Sequence, residues 1–264
     1  MILNPPTSVA FNILGLDIYF YGIFMASAVF AGFYGAYQVY KKYYDIKFAQ
    51  KFFDFSPFLI IFGILGARFY YCTLNYSYYL THPLEILNLR QGGLSIHGML
   101  IFGILGLYFV AKHYKTDFLK LTDSFLCSIP LAQSIGRWGN FFNSEAFGKP
   151  VENSFLKLYV PISNRPSGFE GNEFFHPTFL YESILDFLIF LILLLLFKKF
   201  SKKSGKITAL YLILYGIVRF FIEGIRIDSA LNINSVPIAQ IASVTLIIIG
   251  LVLWLNLDRK NKKL

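Results

Sequence analysis

Long apolar stretches separated by short polar segments dominate the chain. Seven of these stretches approach the length of about 20 residues that an α-helix needs to cross the hydrocarbon core of a membrane. The fourth stretch contains Asp123, Pro130 and Gln133, so we expect neighbouring helices or a wet cavity to shield it from lipid. The pattern therefore predicts seven membrane-spanning helices, at 17–39, 56–73, 94–111, 118–137, 179–197, 207–224 and 236–256.

Two connections between the predicted helices are longer than the rest. Residues 139–178 are rich in Asn, Pro, Ser and Gly, and loops of that length are usually functional or disordered. We expect this segment to form a small head within one membrane domain that comprises residues 1–264. The other long connection, 74–93, suggests a short helix at the membrane surface.

Composition and charge support an integral membrane protein and give its orientation. The chain is 56% hydrophobic and 15% charged, with a mean hydropathy of +0.55, which excludes an ordinary soluble domain. Sixteen of the 24 Lys and Arg fall in the segments 41–51, 112–120, 198–206 and 259–263. Because cytoplasmic loops carry an excess of these residues, the N-terminus is predicted outside and the C-terminus inside. The net charge of +9 is then explained by anionic headgroups at the inner surface, and we expect no nucleic acid partner.

The cysteines and the N-terminus suggest no further chemistry. Cys72 and Cys127 fall inside predicted helices, where a free cysteine usually acts as a small hydrophobe, so we expect neither a disulfide nor a nucleophilic thiol. The first residues lack a basic region and a small-residue cleavage site, so we expect no cleaved signal peptide. No His-Glu-x-x-His spacing occurs, and we expect no metal and no cofactor.

Polar residues within the predicted helices gather in the outer leaflet. An Arg near the middle of a span costs about 2.5–3.5 kcal/mol on insertion scales, so three of them require partners or a polar cavity. Snorkelling to the surface is the alternative, and it suits Arg137 better than the deeper Arg68 and Arg219. The residues at the outer ends of the spans are Tyr21, Arg68, His97, Arg137, Asn140, Tyr181, Glu182, Arg219 and Glu223.

The arginines predict a site for a phospholipid headgroup. Guanidinium groups bind phosphate with a bidentate geometry that Lys does not reproduce. Tyr215, Arg219 and Glu223 share one helix face because they are spaced four residues apart. In the structural alternative, Arg219 and Glu223 only neutralise each other, which leaves Arg68 and Arg137 unexplained.

The other candidates each have a structural alternative. His97, within "GGLSIHG", is a candidate acid or base, although a lone His is often structural. Tyr21 also fits an aromatic belt at the membrane surface. Glu145 also fits a solvated loop charge, and Asn140 fits a turn residue at the end of the fourth helix.

Five motifs carry a resemblance to a known family. In chain order they read "GARFYY", "GGLSIHGML", "GRWGNFFNSEAFG", "HPTFLYES" and "YGIVRFFIEGIR". They resemble the motifs of the prolipoprotein diacylglyceryl transferase family, in the family's order, from about residue 15 to 250. The resemblance implies an all-α integral membrane protein of the bacterial inner membrane, with seven transmembrane helices, a periplasmic head and a periplasmic active site.

The resemblance also implies an activity. The family transfers the diacylglyceryl group of phosphatidylglycerol to the lipobox cysteine thiol in the signal peptide of a prolipoprotein. The products are a thioether and glycerol 1-phosphate, and the reaction is the first step of bacterial lipoprotein maturation. Because the substrate supplies the thiol, this reaction fits a chain without a Gly-x-Ser-x-Gly elbow or a reactive cysteine. The implied partners are phosphatidylglycerol, the lipobox cysteine and membrane lipids.

Residue roles follow from matching the family's motifs position by position. His97 is then the base or proton relay, although nearby arginines offer another way to favour the thiolate, and the choice stays open. One departure is Met99, where the family usually has a Gly. The implied catalytic residues are His97, Arg219, Tyr21 and Glu223, and those implied to bind or enclose the headgroup are Arg137, Asn140, Glu145, Gly148, Arg68 and Tyr215.

Two other functions remain as alternatives. A transporter or flippase for an anionic lipid also requires outer-leaflet arginines, but it predicts charges through the full membrane thickness. Asp123 and Asp186 are the inner-half charges, and we expect each of them to cap or pair locally. A seven-helix receptor or assembly protein without chemistry is compatible with the span count, but it leaves the Arg, His and Glu cluster unexplained.

Overall fold

The computed structural model describes residues 1–89, 92–227, 232–233 and 236–261. Arg90 and Gln91, which are predicted in the loop before the third span, lie outside the described residues. Lys262 and Lys263, which contribute to the predicted inner charge, also lie outside them.

Helices make up most of the described chain. Within it, seven helices have 18 or more residues, and each coincides with one predicted span to within about five residues at either end. Short 3₁₀ helices occur at Pro83–Leu87 and Ile162–Asn164. The α-helices are α1 (Phe20–Tyr43), α2 (Ile46–Ala49), α3 (Phe52–Leu74), α4 (Tyr76–Thr81), α5 (Ile96–His113), α6 (Phe118–Phe142), α7 (Thr178–Phe200), α8 (Lys206–Glu223) and α9 (Ile238–Asn261).

Five of the long helices are long and apolar enough to cross a membrane, namely α1, α3, α5, α7 and α9. They make the protein an integral membrane protein. The other two occupy predicted spans but do not meet this criterion. Charged and neutral polar residues, among them Asp123 and Gln133, make α6 less apolar, and α8 carries three charges, Lys206, Arg219 and Glu223. Seven spans and the N-out orientation therefore stay predictions.

The chain packs into two compact units where the sequence predicts one domain. The first unit comprises residues 1–39 and 123–264, and the second comprises residues 40–122. Each unit is described by itself below.

The head segment of the first unit contains a small sheet that the hydropathy pattern does not predict. β1 pairs with β4 in parallel, with Ile2 opposite Lys157, and β4 pairs antiparallel with β5. Phe147, Leu158 and Phe175 are buried in the core beneath it. The sheet of the head therefore includes a strand from the N-terminus, which lies outside the predicted head segment 139–178. The strands are β1 (Ile2–Leu3), β2 (Val9–Ile13), β3 (Leu16–Tyr19), β4 (Lys157–Tyr159), β5 (Phe174–Phe175), β6 (Asn232–Ile233) and β7 (Val236–Pro237).

Buried charges join α6, α8 and α9 at the start of α8. Asp123 accepts hydrogen bonds of 2.7 Å from the backbone N–H groups of Gly205 and Thr208 and from the Thr208 hydroxyl. It therefore caps α8 from a neighbouring helix. Lys206 donates to the Trp254 carbonyl at 2.9 Å and pairs with Asp258 at 2.8 Å. These contacts explain how a charge inside the fourth predicted span, Asp123, and a buried charge just before the sixth, Lys206, are tolerated.

Small residues allow α3 and α5 to meet closely in the second unit. A Cβ added to Gly98 would collide with the carbonyl oxygen of Gly66, so the two backbones touch at this point. The Ser95 N–H donates to the Ala67 carbonyl at 3.0 Å just before α5 begins. The first turn of α5 is therefore held against the C-terminal half of α3.

Candidate active site

The buried carboxylate of Glu182 lies among three guanidinium groups in the first unit. Its side chain is 3% exposed, and it pairs with Nε of Arg137 and Nη1 of Arg219. Nη1 of Arg226 lies 4.0 Å from Glu182 Oε1. Glu182 therefore links α6, α7 and α8 and brings two of the predicted arginines together.

Glu182 is positioned by the anchored first turns of α7. The Thr178 hydroxyl donates to the Ala146 carbonyl at 2.7 Å, and the Phe179 N–H donates to the same oxygen at 3.0 Å. The Ser183 hydroxyl donates to the Ser134 carbonyl of α6 at 2.9 Å. These bonds fix α7 on either side of Glu182, so the carboxylate has little freedom to move.

Arg219 is held by two carboxylates. Besides Glu182, its Nη2 pairs with Oε2 of Glu223 at 2.6 Å, one turn further along α8. Tyr215 lies one turn earlier, where its ring stacks on that of Tyr211 with the centroids 5.5 Å apart. The predicted pairing of Arg219 with Glu223 is present, but Arg219 is also tied to α7.

A hydrogen-bond chain leads from Arg137 into the loop after α6. Nη1 of Arg137 donates to Asn140 Oδ1 at 3.4 Å, and Asn140 Nδ2 donates to Glu145 Oε1 at 2.7 Å. The loop turns back sharply because Ser144 and Ala146, on either side of Glu145, have φ values of 52° and 58°. Arg137, Asn140 and Glu145 therefore form one connected group.

Tyr21 lies beside this group. A Cβ added to Gly139 would lie 3.1 Å from Tyr21 Cδ2, so the tyrosine packs directly on the α6 backbone. Glu145 and Arg137 are the charged groups whose fields act on its hydroxyl. The α1 tyrosine is therefore placed next to the predicted headgroup residues.

Gly148 has a packing role in the structure. Its N–H donates to the His176 carbonyl at 2.8 Å, so it does not point at a ligand. A Cβ at this position would lie 2.9 Å from Thr178 Cγ2 and 3.0 Å from Ile225 Cγ2. Glycine thus lets the loop pack onto the start of α7 and the segment after α8, where Gly148 forms a β-bridge with Arg226.

Asp186 adds a third carboxylate one turn beyond Glu182. It is 1% exposed, and neither of its oxygens has a hydrogen-bond partner within the described residues. The charges of Arg137, Glu182 and Arg219 act on it. The cluster therefore contains three guanidiniums and three carboxylates. The described residues contain no group of three or more His, Cys, Asp or Glu placed to hold a metal ion.

Arg68 belongs to the second unit, where it is buried and binds backbone carbonyls. All five of its N–H groups donate to carbonyl oxygens of the segment 85–93, at 2.5 to 3.2 Å. Its ring neighbour is Tyr79, with the guanidinium carbon 5.2 Å from the ring centroid. This arrangement differs from the predicted headgroup contact, because no donor is left for a phosphate.

His97 is also in the second unit, at the second residue of α5. Its side chain is exposed on the surface of the chain, and its ring centroid lies 6.0 Å from that of Tyr70. Gly98 provides the close approach to α3. The Met99 side chain lies farther from that helix, since even a Cβ added to Gly63 would be 3.7 Å from Met99 Cγ, an ordinary contact distance. The Met that departs from the family pattern is therefore accommodated without disturbing the helix contact beside His97.

The family described as prolipoprotein diacylglyceryl transferase matches residues 8–256. The chain belongs to this family. It is 43% identical to a curated relative from Clostridium novyi, over 98% of each chain. It is 40% identical to one from Clostridium botulinum, over 99% of this chain and 100% of the relative. A relative from Fervidobacterium nodosum is 47% identical over 72% of this chain and 65% of its own. All three are named phosphatidylglycerol–prolipoprotein diacylglyceryl transferase, which confirms the resemblance inferred from the five motifs.

Most of the residues matched to the transferase family's motifs meet in the first unit. Arg68 and His97 lie in the second unit. Three further members of the cluster, Glu182, Arg226 and Asp186, were not among the predicted site residues. A signal was present, because Glu182 and Asp186 are carboxylates four residues apart in an otherwise apolar helix. The residues of the first unit that were predicted for the transferase site are Tyr21, Arg137, Asn140, Glu145, Gly148, Tyr215, Arg219 and Glu223.

Proposed function

We propose that this protein transfers the diacylglyceryl group of phosphatidylglycerol to the lipobox cysteine of prolipoproteins. The reaction forms a thioether, releases glycerol 1-phosphate and begins lipoprotein maturation. Family membership supports the activity, since the relatives' names specify both substrates. The observation that carries the proposal is the convergence of Arg137 and Arg219 on the buried carboxylate of Glu182.

The proposed topology has seven spans, with the N-terminus outside the cytoplasm. Its support is the sequence distribution of Lys and Arg, together with the internal pairing of the charges on α6 and α8. Asp123 is satisfied by three donors, and Lys206 pairs with Asp258. With this topology, the Glu182 cluster lies on the periplasmic side of the bacterial inner membrane.

Arg137 and Arg219 bind the headgroup phosphate in this proposal. Nη2 of Arg137 and Nε of Arg219 have no partner among the described residues, whereas the other guanidinium nitrogens are paired with Glu182, Asn140 or Glu223. The unpartnered N–H groups are therefore available to donate to phosphate oxygens. Because the paired nitrogens fix both guanidinium planes, the donors are preorganised for charge that develops on the phosphate.

The chemical step is a displacement at a glycerol carbon. The substrate sulfur forms a bond to that carbon, and the bond from the carbon to the phosphate oxygen breaks. The electron pair goes to the phosphate oxygen, where the arginines stabilise the negative charge. The thiol proton passes to His97, or to the departing phosphate if the guanidiniums alone favour the thiolate. Tyr21, Asn140 and Glu145 enclose the headgroup, and Glu223 orients Arg219.

Arg68 has a positioning role in this proposal. Its five hydrogen bonds to carbonyls of the segment 85–93 hold the connection between α4 and α5 in place. The same connection leads into His97. Arg68 therefore acts on the reaction through the backbone that carries the proposed base.

The decisive experiment uses purified full-length protein in detergent, phosphatidylglycerol and a lipobox peptide. Mass spectrometry is expected to detect a diacylglyceryl thioether on the peptide cysteine. A peptide with Ser in place of this Cys is the control, and it should remain unmodified. Folded protein that gives no adduct under these conditions would refute the transferase proposal.

A further inference from the structure

The hairpin formed by β2 and β3 has one apolar and one polar face. Phe11 lies opposite Ile18, and Ile13 lies opposite Leu16. Because residues directly opposite each other share a face and successive residues alternate, these four apolar side chains lie on one face. Asn12 and Asp17 are paired on the other face.

The polar face is satisfied within the hairpin. Asn12 Nδ2 donates to Asp17 Oδ1 at 2.7 Å, and the Gly15 N–H donates to Asn12 Oδ1 at 2.9 Å. These contacts close the turn across the two strands. The polar side chains of this face are therefore held together by contacts within the hairpin, and the face as a whole is suited to water.

The apolar face is largely uncovered by the described protein. Phe11 is 49% exposed, Ile13 52% and Leu16 58%. A two-stranded hairpin is at best marginally stable by itself and needs another layer against its hydrophobic face. Such a layer must come from outside the described chain.

The turn displays a further apolar side chain at the tip. Leu14 and Gly15 have φ values of 51° and 85°, as in the type I′ turns that favour Asn–Gly. Leucine is disfavoured in this left-handed conformation. Its side chain is nevertheless 99% exposed and gains no burial within the described chain.

The position of the hairpin next to α1 indicates what covers its apolar face. β3 ends at Tyr19 and α1 begins at Phe20, with no connecting residue, and the Phe20 N–H donates to the Ser8 carbonyl at 3.0 Å. The hairpin is thus tied to the first turn of a helix that is long and apolar enough to cross a membrane. Exposed apolar side chains also occur along α1, for example Phe30, so the hairpin is joined without a linker to a helix whose exposed surface is apolar.

We propose that this hairpin is an interfacial anchor that rests on the membrane surface at the N-terminal end of α1. The side chains of Phe11, Ile13, Leu14 and Leu16 enter the boundary between headgroups and acyl chains, while the Asn12–Asp17 pair faces water. An element with one apolar and one polar face binds a lipid surface in this way. The anchor fixes the depth at which α1 enters the membrane, and therefore the depth of Tyr21.

The test measures the environment of single positions in the full-length protein in lipid nanodiscs. A cysteine replaces Leu14 in one variant and Asn12 in a matched variant of the polar face. Both carry Cys72→Ala and Cys127→Ala, so that an environment-sensitive fluorophore labels only the hairpin. We expect blue-shifted emission and severalfold weaker quenching by aqueous iodide at position 14 than at position 12. Equal quenching at the two positions would overturn the proposal.

A second measurement needs no substitution and covers the case in which Asn12→Cys disturbs the turn. Phospholipids with a photoreactive group high on the acyl chain are expected to crosslink to the peptide that contains residues 9–19 of the unmodified protein. Absence of this crosslink, with crosslinks present on α1, would overturn the proposal. So would a fluorophore at position 14 that remains in water until a lipobox peptide is added, because the apolar face would then bind the peptide.

Discussion

Replacement of Glu182 by Gln tests whether the buried carboxylate holds two arginines in the geometry that transfer requires. The substitution keeps the shape of the side chain but removes its charge. Gln has one carbonyl oxygen, whereas Glu182 pairs through Oε2 with Arg137 and through Oε1 with Arg219. One guanidinium therefore keeps an acceptor, and the other faces an amide NH₂ group that donates hydrogen bonds as it does.

The size of the effect follows from the loss of one charge-assisted contact. Such a hydrogen bond contributes about 1.5–3 kcal/mol, and each 1.36 kcal/mol is about a factor of ten in rate. We expect kcat to fall about 10- to 150-fold. KM for phosphatidylglycerol should change less, because removal of a negative charge strengthens the attraction of the arginines for phosphate and offsets the lost positioning.

The same substitution lowers stability. Removing one partner of a buried ion pair costs about 3–5 kcal/mol, which is a large part of the roughly 5–15 kcal/mol that stabilises a native protein. The variant should still fold, with a lower unfolding midpoint. Glu182→Asp, which keeps the charge on a shorter side chain, should fall between wild type and Glu182→Gln in both properties.

The assay measures thioether formation on a lipobox peptide and gives KM for phosphatidylglycerol and kcat per folded protein. The unfolding midpoint is measured in the same detergent. Glu152→Gln is the matched control, because it makes the same chemical change at an exposed position of the head. We expect this control to behave as wild type. The reasoning would be refuted by a Glu182→Gln enzyme with a wild-type kcat, since the arginines would then need no central acceptor.

Three further substitutions separate positioning from packing. Arg219→Lys keeps the charge but loses the planar fork that binds phosphate in a bidentate manner, so turnover in the peptide assay should be mostly lost; near-normal turnover would show that a point charge is sufficient. Gly148→Ala places a Cβ within 3.0 Å of three side chains and should lower stability by about 1–3 kcal/mol, as seen in thermal unfolding, whereas Gly171→Ala, with open space around it, should not. Lys206→Met should lower stability by about 1–3 kcal/mol while activity per folded protein is unchanged, and the exposed Lys202→Met should alter neither; a selective loss of activity in Lys206→Met would connect this cluster to the reaction.

Hydropathy predicts the long helices because the signal lies within each segment. A run of about 20 apolar residues is recognisable wherever it packs. The same signal does not show how Asp123 and Lys206 are accommodated, because their partners lie on other helices. Strands β1, β4 and β5 have only two or three residues each, and β1 and β4 are far apart in the sequence. Such short strands form only because they pair with a distant segment, and two or three residues are too few to show the alternation of polar and apolar positions that predicts a strand.

The buried arginines show why the site was only partly predictable. An uncompensated Arg in a span is costly, so the sequence correctly marks Arg68, Arg137 and Arg219 as residues that need partners. The structure meets this requirement in two ways. Arg137 and Arg219 share Glu182 from a different helix, whereas Arg68 binds carbonyls only 17 to 25 residues further along the chain. The cost of burial is the same for both arrangements, so it cannot distinguish an arginine that organises a loop from one with donors left for a substrate. That distinction requires the partner of each N–H group, and the partners favour Arg137 and Arg219, rather than Arg68, as the arginines proposed to bind phosphate.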